Sequence, residues 1–259
     1  MWEKLIMNVK SNVIIFSTDN KERTDVRRLK EKKLQIALDN KNSLPIFDIN
    51  NKEDMKTMVC NNLKEMFGNT KFYIEQLYTW GDPQYYNEES ELIVTYLVIV
   101  NREQIENETL PLEFYDITIE NLEGEKRIQN VILESENQTI EYEIETLMKK
   151  EKNSVEYINK LVGTPKISEL TSIIIHTGIK RLRNRIENTN IAFSFLLEEF
   201  TISELQQVYE IILDKKLVAA NFRKKIDPMI KKTEKVVKES AFRPSNKYTF
   251  NEEFLEYWV

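Results

Sequence analysis

Residues Phe200–Ile226 read FTISELQQVYEIILDKKLVAANFRKKI. Thr201 with Glu204 three positions on is the pattern of a capping box. The hydroxyl accepts an amide proton at the helix start, and the carboxylate reaches back to the N-cap amide. Leu205, Val208, Tyr209 and Ile212 follow at helical spacing on one face. Asp214–Leu217 is a short connector. Beyond it Phe222, Ile226, Met229 and Ile230 predict a second helix with a narrow apolar face. On that wheel Lys224 lies nearly opposite Phe222, flanked by Asn221, Arg223 and Lys225. Farther on, Val236-Val237 and Tyr248-Thr249-Phe250 are expected to pair as a hairpin around Ser240–Asn246. Helix, short turn, basic helix and hairpin is the order of a winged helix-turn-helix. Such a module lays its second helix in the major groove, where only an exposed polar face is useful. The same layout also arises as plain helix packing, and pattern alone leaves both readings open.

Upstream, Ile167–Arg185 carries Leu170, Ile173, Ile174, Ile179 and Leu182 on a helical stripe. Lys180, Arg181, Arg183 and Arg185 crowd its end, where cations complement the helix dipole. A Gly-x-Pro break at Gly163-Thr164-Pro165 marks a boundary. Residues 1–163 hold 21 basic and 30 acidic side chains, a net of −9, and residues 164–259 hold 16 and 13, a net of +3. Within 215–247 there are 11 basic and 3 acidic residues, a net of +8. The overall charge of −6, which by itself argues against nucleic acid, is therefore an average over two unlike parts.

Composition excludes several chemistries. The 259 residues include one Cys, one His and five Gly. Cys60 alone forbids an internal disulfide, which fits a reducing cytosol. Cys60 and His176 together cannot build a Cys/His zinc site, and any Ser-His-Asp or Cys-His mechanism would run through His176. With glycines at 68, 81, 124, 163 and 178 only, neither GxGxxG nor a P-loop can be written. The longest apolar runs fall far below the roughly 20 residues a membrane span needs. Met1-Trp2-Glu3-Lys4 lacks the layout of a signal peptide. The chain is thus expected to be cytoplasmic, with no membrane partner.

The front part reads as mixed α and β. Asn12–Ser17, Lys33–Leu38, Tyr73–Thr79, Glu91–Val100, Leu112–Ile119 and Val131–Leu133 are predicted strands. Met55, Met58, Val59, Leu63, Met66 and Phe67 fall at helical spacing and stop at Gly68, a helix terminator. Glu134–Glu145 is compatible with strand or helix. The fold class expected is α+β: a mixed sheet sandwiched by helices over 1–163, then a linking helix and winged helix-turn-helix over 164–259.

Ile191-Ala192-Phe193, Leu196–Leu213 and Asn221–Ile226 strongly resemble the C-terminal winged helix of the Nudix-related transcriptional regulators. Ile179–Arg183 resembles that family's linking helix. In the front part Tyr73–Pro83 (YIEQLYTWGDP) and Val94–Val98 resemble its sensor domain. The resemblance touches most of the chain except about 101–163. It implies a ligand-responsive regulator of double-stranded operator DNA, acting as a homodimer and without a cofactor. Its effector would be ADP-ribose, a related nucleotide of NAD metabolism, or a sugar. DNA contacts carried over from it are Asn221, Arg223, Lys224 and Lys225 on the second helix. Arg243, Lys238 and Lys247 belong to the wing, and Ser203 and Gln206 to the first helix. Asn and Arg suit base edges, Lys suits phosphates. Ala219 and Ala220 stand where relatives tend to carry basic residues, and the wing lacks the family's glycines. A ring-stacking ligand pocket is expected near Tyr78, Trp80, Asp82 and Tyr85.

The resemblance also places a Nudix box on Phe47–Asn69. Glu53, Leu63, Glu65 and Gly68 match its pattern. Phe47 replaces the opening glycine, Asn61-Asn62 the Arg-Glu pair, Met66 the second of the paired glutamates, and Asn69 the final apolar position. Three glutamates of that helix would hold the divalent ions that activate water. Glu65 alone remains of the three, and the Met66 thioether suits Mg²⁺ poorly. The expectation is a Nudix-like fold with no catalytic residues, no metal site and no hydrolysis. The alternatives are a divergent hydrolase of nucleoside diphosphate derivatives, or a scaffold that binds only protein.

Overall fold

The computed structural model describes residues 8–21, 31–49, 53–81, 91–107, 110–122, 127–152, 154–237 and 245–257. Strands β1 (Asn8–Lys21), β2 (Glu31–Leu38), β3 (Ile46–Asp48), β4 (Phe72–Trp80) and β5 (Glu91–Val100) surround helix α1 (Met55–Phe67) in sequence. Then come β6 (Glu113–Asn121), β7 (Ile128–Glu134), β8 (Thr139–Glu151) and β9 (Ser154–Val162). These nine form one sheet in the order β4-β5-β1-β2-β6-β7-β8-β9, with β3 added on β1. β1 runs parallel to β5 and antiparallel to β2, so the sheet is mixed. The long helix α2 (Glu169–Ile186) follows, then α3 (Ile202–Leu213), α4 (Ala219–Ile226) and the hairpin β10 (Ile230–Val237) and β11 (Ser245–Phe250).

Strand alternation sends side chains to two different cores. Val13, Ile15, Val94, Tyr96, Val98 and Val100 face α1, which buries Met58, Val59, Leu63 and Phe67 against them. Ile14, Phe16, Ile93, Leu97 and Ile99 face the other way, toward Ile173, Ile174, Ile175, Ile179 and Leu182 of α2. The helices therefore cover opposite faces, as the near-continuous apolar runs of β1 and β5 require. α1 starts where the Asp54 carboxylate accepts the Thr57 amide at 3.0 Å and stops at Gly68, whose φ of 75° is open to glycine at little cost. The α2 core continues without a break into α3, α4 and the hairpin, through Leu205, Phe222, Ile226 and Tyr248.

Several expectations are corrected here. Met229 and Ile230 are not on the second helix. Pro228 has no amide proton and its ring obstructs further helix, so α4 ends at Ile226. Met229 lies in a 3-10 turn and Ile230 opens β10. The two hairpin runs belong to one hairpin but do not face each other: Tyr248 and Phe250 pair with Lys232 and Ile230, while Val236 and Val237 pair with Asn246 and Ser245. The undecided acidic stretch Glu134–Glu145 is not helical: Glu134 ends β7, Ser135–Gln138 turn the chain, and Thr139–Glu145 open β8. Strands β3 and β9 had no sequence expectation. The basic end of α2 does more than complement a dipole: Arg181 and Arg185 pair with Glu75 of β4 at 3.4 and 3.2 Å.

Gly178 fixes how closely α2 lies on β1, because an added Cβ would stand 2.7 Å from Ile14 Cδ1 and 3.0 Å from the Phe16 ring. Gly178→Ala is expected to destabilise the fold by about 1–3 kcal/mol through overpacking. The readout is the urea midpoint at unchanged slope; an unchanged midpoint would contradict this close approach. His176, on the same helix, is 3% exposed and its ring nitrogens have no partner. Burial, with help from Lys180 and Arg183, pushes its pKa down to about 4 from 6.5. The unfolded chain then takes up a proton near pH 6.5 that the folded one refuses until about pH 4. Stability is therefore full above that window and falls as pH drops through it, by about 3 kcal/mol. His176→Leu should flatten this part of the stability–pH curve.

Candidate nucleic-acid interface

The capping box at the start of α3 is formed in full: Glu204 N–H donates to Thr201 Oγ1 at 3.2 Å and Thr201 N–H to Glu204 Oε2 at 2.7 Å. α3 buries Leu205, Val208, Tyr209 and Ile212. It ends on Asp214 in the left-handed region, φ 54°, which turns the chain toward α4. The turn is held by Glu210. Burial alone would raise its pKa, but three donors outweigh that and lower it: Gln206 Nε2 at 2.9 Å, Leu217 N–H at 2.9 Å and Lys216 Nζ at 3.1 Å. Gln206 also donates to Leu217 O at 3.1 Å. Its amide is committed to the turn.

α4 buries Phe222 and Ile226 and leaves Ala219, Ala220, Asn221, Arg223, Lys224 and Lys225 exposed. The Phe222 ring stands edge-on to Tyr209, centroids 5.1 Å apart, and that contact sets the face α4 presents. Lys225 lies over the Tyr209 ring at 5.4 Å, and the Arg223 guanidinium reaches the Tyr248 hydroxyl at 3.5 Å. α4 is preceded by Val218, 67% exposed. Its first turn, Val218-Ala219-Ala220, is thus an apolar exposed step beside the four polar side chains.

The hairpin is locked to the start of α3. Phe200 and Tyr248 exchange backbone hydrogen bonds at 3.0 and 2.8 Å, and Phe193 packs on both Phe200 and Phe250. Lys247 is half-buried with its ammonium on Glu199 O at 3.2 Å, and Lys235 pairs with Glu199 at 2.9 Å. Lys231 pairs with Glu253 at 2.7 Å, whereas exposed Lys232 on β10 lies across from Tyr248. Lys232 was not singled out from sequence. Its signal was only the bulk charge of 215–247, because a wing cation is recognisable only once the hairpin register is known. Ser203 sits half-buried in the first turn of α3. Lys238 and Arg243 lie outside the described residues.

α2 joins this module to the sheet. Arg183 Nε donates to Ile212 O at 3.0 Å, near the end of α3, and Arg181 donates to Leu77 O of β4 at 3.0 Å. Gln207 of α3 accepts the backbone amide of Lys32 on β2 at 3.3 Å. The Lys32 side chain is buried there, and burial lowers its pKa against the pull of Glu204, Glu103 and Asp19.

In the sensor-side expectations, Tyr78 is 56% exposed and its ring lies 4.8 Å from that of Trp80. Trp80 itself is buried, and its indole N–H donates to Thr95 Oγ1 at 2.9 Å, so it packs β4 onto β5. A bulge between Gln76 and Tyr78 brings both Leu77 and Trp80 to the α2 core. Asp82 and Tyr85 lie outside the described residues. On α1, Glu65 is exposed, Met66 packs against the α1 core, Asn62 donates to Met58 O of its own helix at 2.9 Å, and Asn61 donates to Glu53 at 3.0 Å. Among the described residues, no three His, Cys, Asp or Glu side chains form a metal-holding group, and no helix is long and apolar enough to cross a membrane.

Comparison with known proteins agrees with this geometry. Residues 192–250 match the family model of the NrtR DNA-binding winged helix domain. No curated protein matches the chain. Among solved structures, the MutT/nudix family protein of Enterococcus faecalis aligns with TM-score 0.64 and 19% identity, over 97% of this chain and 90% of that one. NrtR of Shewanella oneidensis, complexed with a 27mer DNA, aligns with TM-score 0.61 and 16% identity over 96% and 95%. The same protein without DNA gives 0.58 and 16% over 95% and 94%. At these identities the likeness is one of fold: a Nudix-like α+β sheet domain followed by a winged helix.

Proposed function

We propose that this protein is a ligand-responsive, DNA-binding transcription regulator, with residues 1–163 as the sensor and 164–259 as the DNA reader. The observation that carries the reading is α4: one face buried on α3, the other exposing Asn221, Arg223, Lys224 and Lys225, in a segment that matches a DNA-binding winged helix family. Asn221 and Arg223 are assigned to base edges, Lys224 and Lys225 to phosphates. Lys232 joins them from β10, and Ser203 from α3. Gln206 and Lys247 hold the module together and serve DNA only through backbone geometry. A homodimer fits, since two-fold proteins read two-fold operators. The cytoplasm is the compartment such a role requires. The effector belongs to the nucleotide or sugar class, ADP-ribose being the first candidate, and Tyr78 is the exposed ring that would stack on it.

Hydrolysis is not part of the proposal. Met66 is packed into the α1 core and Asn62 is bonded to its own helix, so Glu65 is left without anionic neighbours from that frame. With Mg²⁺ present, ADP-ribose should remain intact, and Glu65→Gln should change nothing. Mg²⁺-dependent turnover that Glu65→Gln removes would overturn this point and favour the hydrolase alternative.

Gel shifts on DNA upstream of the protein's own coding region test the regulator reading. Retardation should be specific and fade steeply with salt, because phosphate contacts release counterions. Arg223→Ala should weaken specific binding by about 1–3 kcal/mol and relax sequence preference at the contacted base pair. Lys224→Ala should weaken binding to all sequences and lower the salt slope by about 1. Both variants should keep the unmodified circular dichroism spectrum. Equal affinity for scrambled DNA would defeat the proposal.

A further inference from the structure

The face of the sheet under α2 carries a cleft of about 540 Å³, away from the winged helix. Its walls include Asn121, Arg127, Gln129, Thr146, Tyr157 and Lys180. Strand register explains why these meet. Gln129 lies across from Ile144, which is buried in the α2 core, and Asn121 lies across from Gln129. Thr146 follows Ile144 by two residues, and Tyr157 lies across from Met148 two further on. The period of two puts all four side chains on the α2 side. Lys180 closes the cleft from the helix, one turn beyond His176.

The lining is chemically specific. The Arg127 guanidinium lies 5.8 Å from the centre of the Tyr157 ring, which is 53% exposed. Among the described residues, neither Arg127 nor Lys180 has a carboxylate partner. Burial alone lowers the Lys180 pKa, with no acidic group acting against it. Gln129 donates to Asn121 at 2.8 Å and Thr146 to Asn159 at 3.1 Å, which orients an amide and a hydroxyl at the walls. Two cations with no carboxylate partner among the described residues, one of them over an exposed aromatic ring, beside fixed polar groups, form a receptor for an anion attached to a flat ring. The volume lies in the range of small-molecule sites, about 300–1,000 Å³.

We propose that this cleft binds a small ring-bearing anion, its phosphate or carboxylate at Lys180 and Arg127 and its ring against Tyr157. It is separate from the Tyr78 position, because β4 and β9 are opposite edges of the sheet. Lys180 directly precedes Arg181, which holds β4, and stands three residues before Arg183, which holds α3. Occupancy of the cleft is thus felt by the helix that joins sheet to DNA reader. That consequence rests on the regulator reading; the binding itself does not.

Calorimetric titration of the full chain at low salt tests the site. AMP supplies ring and phosphate, benzoate ring and carboxylate. Adenosine supplies a ring without an anion, and inorganic phosphate an anion without a ring. AMP or benzoate should bind once per chain, at least about tenfold more tightly than adenosine or phosphate. Lys180→Met and, separately, Tyr157→Ala should each weaken that binding by about tenfold or more. Tyr78→Ala should leave it unchanged. The proposal fails if neither AMP nor benzoate saturates at millimolar concentration. It also fails if binding survives both cleft variants or is lost only in Tyr78→Ala. Gel shifts on the same variants without added ligand should match the unmodified protein. Lack of retardation by the unmodified protein would instead count against the regulator reading and leave this site standing.

Discussion

The seat of α2 on the sheet is the constraint from which the rest of the molecule follows. Gly178 seats the helix so close to β1 that an added Cβ would have to displace the Ile14 methyl and the Phe16 ring. Once there, Arg181 and Arg185 both reach Glu75, whose side chain is only 14% exposed. An ion pair so shielded is screened less than a surface pair, and removing one partner would strand the other charge. Tyr73 donates to the same carboxylate at 2.6 Å, and burial together with Glu75 pushes its pKa up to about 12. Four groups from β4 and α2 thus share one site. The other end of the constraint is Arg183 on Ile212 O, which fixes α3 to the same helix.

Electrostatics then separate two surfaces. Cations at the end of α2 are largely consumed internally, as are Lys231, Lys235 and Lys247 in the hairpin. Among the described residues, no carboxylate holds those of α4: Lys225 rests on a ring and Arg223 touches a hydroxyl. A duplex approaching this module meets basic charge at α4, while the front part of the chain, at net −9, repels it. The sign of the whole molecule matters less than which cations remain unpaired.

Local signals were legible in the sequence because their physics is local. The capping box at Thr201, the glycine stop of α1 and the apolar run of β5 each depend on residues within one turn or one strand. The second helix was read too long because Met229 and Ile230 continue its apolar spacing; Pro228, two residues before Ile230, was the overlooked signal. β9 was missed because six of its nine residues are exposed and the other three only half-buried, giving no clean alternation. Trp80 was read as a ligand platform, yet its partner Thr95 is fifteen residues away across a strand pair. The cleft at Lys180 was illegible for the same reason. Its walls come from four strands and a helix, and only register brings them together.

These constraints also limit how a bound ligand could act. Binding shifts an equilibrium only as far as the ligand's affinities for two arrangements differ. The α1 face makes no direct tie to α3 among the hydrogen bonds described; the α2 face makes one through Arg183 and the sheet another through Lys32 and Gln207. A ligand on the α1 side must therefore deform the sheet, whose close-packed residues resist small strains. A ligand on the α2 side need only favour one position of a helix that already touches both bodies. Gly178 sharpens this point, since the helix packs on β1 with no spare distance and has only sliding or rotation left to it. Either motion would have to rearrange Arg183 at the end of α3 before α4 could change its aim.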